Sequence, residues 1–124
     1  MSPWVIVLIL LSSLIFIVVY GQVVKSRGGD DILQDHFAPC KGCDYWALLH
    51  TVLFFILAYL FPQYILEFSI IGIMWELLEY STGDPEVREI IGLDFRGGKW
   101  WYGRLSDIMF NSIGLILGYL ASRG

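Results

Sequence analysis

Hydrophobic and polar positions along this chain fall into long blocks. Apolar runs cover residues 3–24, 44–61, 64–81 and 103–121, with polar stretches between them. Runs of this length match the ~20 residues that a helix needs to cross a hydrocarbon core of ~30 Å. The pattern therefore predicts an all-α fold: a polytopic transmembrane helix bundle of about four spans in one domain, 1–124. The first run holds Ser12 and Ser13 but no charge, lacks a basic region ahead of it and has no small-residue cleavage site before Lys25. It is expected to remain as a helix and not to be removed as a signal peptide. Only Pro62-Gln63 separates the second and third runs, so the third is expected to turn back antiparallel beside the second. Gly28-Gly29, Asp30-Asp31, Asp84-Pro85 and Gly97-Gly98 break the periodicity of the polar stretches 25–41 and 82–99, and Trp100-Trp101-Tyr102 supplies aromatics suited to a membrane–water boundary.

Composition strengthens this reading: 56% of the 124 residues are hydrophobic and 16% charged, and the mean hydropathy is +0.64. No length remains for a soluble module beside four spans. The formal charge of −4 comes mostly from the two polar stretches, and no basic face exists to meet phosphates, which excludes a nucleic-acid binder. Lys25, Arg27, Lys41, Arg88, Arg96, Lys99 and Arg104 lie on the side of the two long loops, against Arg123 on the other. The long loops are therefore expected to face the cytoplasm. Gly72 and the Gly114-x-x-x-Gly118 spacing mark places where a neighbouring helix approaches closely. Cys40-Lys41-Gly42-Cys43 is compatible with incidental structure, with a disulfide or redox pair, or with part of a zinc site for which only His36 lies near.

Against this background a few polar residues inside the apolar runs carry the chemistry. Glu76 and Glu79 stand three residues apart, so one helix face presents both; Asp107 and Asn111 stand four apart and do the same on the last run. His50 lies about two turns into the second run, at the same depth. Charges at membrane depth are costly, and three carboxylates at close range in a low dielectric call for a cation among them. Carboxylate and amide oxygens are hard ligands, so Glu76, Glu79, Asp107 and Asn111 point to a divalent cation, Ca²⁺ first, with Mg²⁺ or Mn²⁺ as alternatives. His50 is then placed to act as a general base on a hydroxyl. At the mouth, Lys99, Arg104 and Trp101 are candidates to hold a lipid phosphate and its surroundings. The bland reading is that Glu79 snorkels, Asp107 pairs with Arg104, and His50 and Asn111 bond within the bundle.

The run from Leu48 to Phe55 around His50, the Trp75-Glu76-Leu77-Leu78-Glu79 stretch, and Asp107-x-x-x-Asn111-Ser112 followed by Gly114 and Gly118 resemble the core of VanZ-like membrane proteins. With Trp100-Trp101 they also resemble the core of the base-exchange phosphatidylserine synthases. The second resemblance implies a Ca²⁺-dependent exchange of a phospholipid headgroup for L-serine or a similar small amine. Acidic residues would hold the ion and a histidine would act as base, with His50 favoured over His36 for its depth. The spacing from Asp107 to Asn111 is one residue shorter than in the synthases and sides with the VanZ-like proteins. That family implies the rival function, a non-enzymatic membrane protein that binds a lipid or a protein partner through the same pocket. Both readings take a membrane lipid as partner, and association into a homo-oligomer is open to either.

Overall fold

The structure, a computed structural model, describes residues 2–28, 32–40, 43–83 and 105–124, and every regular element among them is helical. Helix α1 (Trp4–Ser26) follows from an uninterrupted apolar run, and at 1.5 Å per residue its 23 residues extend ~35 Å. It is the one helix among the described residues that is by itself long and apolar enough to cross a membrane.

The other apolar runs give shorter or more polar helices, for local reasons. Helix α2 (Tyr45–Leu60) starts where Asp44 caps it, the carboxylate accepting from the Ala47 amide at 2.9 Å. It stops at Phe61 because Pro62 follows, which leaves 16 residues, or ~24 Å. A 3₁₀ turn at Pro62–Tyr64 leads into α3 (Ile65–Gly83), which carries Glu67, Glu76 and Glu79. Helix α4 (Leu105–Arg123) carries Asp107 in its first turn and Arg123 in its last. Helices α2 and α3 satisfy the length and apolarity of a span only as a pair, bent by 114°. The expected flush hairpin is therefore an open one.

The open angle is filled by α4. Residues Phe54, Leu57, Ala58 and Phe61 form one stripe of α2 at helical spacing, and with Phe68 of α3 and Leu115 of α4 they make the buried core. Helix α4 runs parallel to α2 at very close range: a Cβ added at Gly114 would collide with the Thr51 carbonyl, and one at Gly118 with the Phe55 carbonyl. Both glycines are thus used inside the chain, at the α2–α4 seam. Thr51 adds a polar tie there, its hydroxyl donating to Ala47 O at 3.0 Å and reaching Phe110 O of α4 at 3.3 Å.

In the segment before α2, Cys40 and Cys43 form a disulfide, one of the three readings open to that pair. His36 bridges to Asp44 through the backbone and is exposed, which keeps it out of the interior.

Candidate functional site

Because α2 and α4 run parallel and α3 runs back toward their starts, the start of α2, the end of α3 and the start of α4 meet at one end of the fold. His50 comes from the second turn of α2, Glu76 and Glu79 from the last two turns of α3, and Asp107 from the first turn of α4. Glu76, Glu79, Asp107 and Asn111 are all buried, and the His50 side chain is 13% exposed. His50 Nδ1 stands 3.9 Å from a Glu76 carboxylate oxygen and 3.9 Å from an Asp107 carboxylate oxygen.

One ligand atom each from His50, Glu76 and Glu79 lie within 4.8 Å of one another. Two oxygens on opposite sides of a Ca²⁺ ion are separated by twice a bond of ~2.3–2.6 Å, so these atoms are spaced on the scale of one ion's coordination shell. Charge leads to the same place. With His50 neutral, as a base must be, the three carboxylates carry three negative charges, and one divalent cation would offset two of them. Glu76 and Glu79 sit near the C-terminal end of α3, where the helix dipole disfavours negative charge, while Asp107 sits near the favourable N-terminal end of α4. The dipole therefore favours the ionised form of Asp107 and opposes that of Glu79.

Asn111 lies one turn deeper, its amide nitrogen 3.4 Å from where a Cβ on Gly72 would stand, and Gly72 is one turn before Glu76. Both polar atoms of the Asn111 side chain are buried with no hydrogen-bond partner among the described residues. A buried amide left in this state costs ~1–3 kcal/mol.

The fold brings together the His50, Glu76, Glu79 and Asp107 expected to act jointly, with Asn111 adjoining. Lys99, Trp101 and Arg104, expected at the mouth, lie outside the described residues. Sequence reasoning missed Thr51, next to His50 but facing α4. Its signal, a hydroxyl at the position that meets Gly114, is legible only once the register of α2 against α4 is known. Comparisons of this chain with protein-family models, with curated proteins and with solved structures return no match.

Proposed function

We propose that this chain is a multi-pass membrane protein whose buried Glu76, Glu79 and Asp107, with Asn111 beside them, hold a divalent cation, while the adjoining His50 serves as base in chemistry on a phospholipid headgroup. The observation that carries this reading is that His50 and the buried Glu76 and Glu79 bring ligand atoms within 4.8 Å of one another, with the buried Asp107 carboxylate 3.9 Å from the same imidazole. Bound there, Ca²⁺, Mg²⁺ or Mn²⁺ would polarise a phosphoryl oxygen. His50 takes the proton from the hydroxyl of a small amine such as L-serine. That oxygen forms the new bond to phosphorus as the old headgroup alcohol leaves, and the proton returns to the leaving oxygen. Lys99, Arg104 and Trp101 then belong to the mouth that receives the phosphate.

In this proposal α2, α3 and α4 also lie at membrane depth, which accounts for the apolar side chains exposed along them, among them Leu66, Met74 and Met109. The Lys and Arg count places the long loops in the cytoplasm. The Cys40–Cys43 disulfide draws the same loop toward an oxidising compartment. Labelling of single cysteines with an impermeant reagent decides between these placements.

A second reading has its own observation. His50 already stands between Glu76 and Asp107, so part of the charge can be offset without an ion, as suits a VanZ-like protein that binds a partner through a purely structural pocket. The two readings separate in liposomes. For the enzyme, Ca²⁺ raises the unfolding temperature of the wild type, Glu76→Gln and Asp107→Asn weaken that shift, and labelled serine enters lipid only when His50 is present. A wild type indifferent to Ca²⁺, Mg²⁺ and Mn²⁺, with amide variants of full stability and no serine incorporation, would leave the pocket structural.

A further inference from the structure

Helix α1 touches the other helices near two places and stands off between them. Toward its start Ile6, Ile9 and Leu10 pack against the core. Toward its end the rings of Phe16 and Tyr20 meet Trp46 of α2, with centroids 6.3 and 5.3 Å apart. Between these contacts lies a cavity of about 390 Å³. Leu14 and Ile17 of α1, Leu53 and Phe54 of α2, and Ile71 and Trp75 of α3 form most of its wall.

Two polar side chains line it, Ser13 and His50. The Ser13 hydroxyl donates to Ile9 O of its own helix at 2.8 Å, so it presents no proton to the cavity. His50 is different, because the same imidazole also faces Glu76 and Asp107. One side chain is therefore the partition between an apolar slot and a buried acidic cluster.

A slot of this kind does not suit water, which needs two to four polar partners, nor a polar metabolite. Left empty, its walls forgo their dispersion contacts. It suits an alkyl chain whose polar end stops at His50. The outer wall argues for where that chain comes from: only 6% of the most apolar stretch of α1 is buried, so on the membrane reading above a single helix stands between the slot and bilayer lipid.

We propose, on the basis of the headgroup reading above, that this cavity is an acyl-chain site for a membrane phospholipid, which enters sideways past α1. The chain lies between α1 and the α2–α3 pair, and the glycerol-phosphate end turns toward His50. Lipid tails are as apolar as leucine, so transfer of the chain from bilayer to slot yields little hydrophobic gain. Selectivity then resides at the His50 end. Chain length matters little and headgroup chemistry matters much.

The test is a photolabelling map in phosphatidylcholine vesicles doped with a phosphatidylcholine that carries a diazirine midway along one acyl chain. The expected result is that wild-type adducts concentrate on Leu14, Ile17, Leu53 and Ile71, above the level on the outward residues Leu8, Ile15 and Val19. Leu14→Trp, which fills the slot, should bring Leu53 and Ile71 down to that outward level. A wild-type map with Leu53 and Ile71 no more labelled than Leu8 and Val19 would overturn the site, and this arm does not depend on any variant folding. The readout needs neither turnover nor added cation. A labelled slot in a protein that incorporates no serine would keep the site and remove the enzyme reading, whereas an unlabelled slot in an active protein would do the reverse.

Discussion

The α2–α4 seam and the α1 flank are both contacts between apolar helices, yet they are built on opposite plans. At the seam, small residues let two backbones nearly touch: Gly114 lies on the Thr51 carbonyl and Gly118 on that of Phe55. At the flank, large aliphatic side chains surround α1 on all sides, and it meets the others through Ile6, Ile9 and the Phe16–Tyr20–Trp46 rings. The physical lesson concerns what hydrophobicity can decide in a membrane. Where the surroundings are as apolar as the side chains, apolarity alone does not choose a partner, and shape does. The seam can therefore fix the start of α2, with His50, against the start of α4, with Asp107, while the flank leaves room for a chain of carbon atoms.

The largest effect should come from spoiling the seam. Gly114→Leu or Gly118→Leu places side-chain atoms where the α2 backbone already is, and the cost should be ~3 kcal/mol or more, because the obstacle is a carbonyl and not a movable side chain. Leu8→Ala on the outward side of α1 should leave the unfolding temperature in detergent nearly unchanged. Similar losses for the two kinds of variant would mean that the contrast between seam and flank does not describe how the protein is held together.

That contrast also marks what could be read from the sequence. The all-helical fold was legible because the apolar runs are long and are punctuated at Pro62 and by the Gly-rich stretches. The convergence of His50, Glu76, Glu79 and Asp107 was legible because helical spacing sets faces and the short link at Pro62 sets direction. The 114° bend from α2 to α3, short of a full reversal, was not, since it depends on α4 filling the angle between them, and no local residue encodes a contact with a helix forty positions away. Nor was the division of the apolar runs into one helix long and apolar enough to cross a membrane and others shorter or more polar. Hydropathy does not register that Asp44 turns inward as a cap and that α2 ends at Leu60. The cavity beside α1 was invisible for the same reason as the opening, because a gap is a property of two surfaces and a sequence describes one at a time.

A smaller effect tests the flank. Trp46→Ala removes the rings' shared partner, and aromatic pairs contribute about 0.5–1.5 kcal/mol beyond the area they bury. The loss of overall stability should be of that order, about 1 kcal/mol. The more telling change is local: spin labels on Val19 and Leu49 should give a broader distance distribution in Trp46→Ala than in the wild type, as the end of α1 swings free. A distribution as narrow as that of the wild type would place the hold on α1 elsewhere, and the flank would no longer count as loosely joined.

The smallest expected effect bears on what kind of force holds the seam. The Thr51 hydroxyl has one hydrogen and two carbonyls in reach, Ala47 O within α2 at 3.0 Å and Phe110 O across the seam at 3.3 Å. The nearer acceptor lies in its own helix, so the share left for the cross-helix bond is weak. Thr51→Val keeps the shape of the side chain against Gly114 and removes only the hydroxyl. Hydrogen bonds between helices in membranes average about 0.6 kcal/mol, and this one should fall at or below that figure. Thr51→Ser offers the converse, keeping the hydroxyl while removing the γ-methyl group. If close packing holds α4 on α2, Ser should be the more damaging change of the two in a thermal melt. If the hydroxyl holds it, Val should be, and the two glycines would then matter only for making room for that bond.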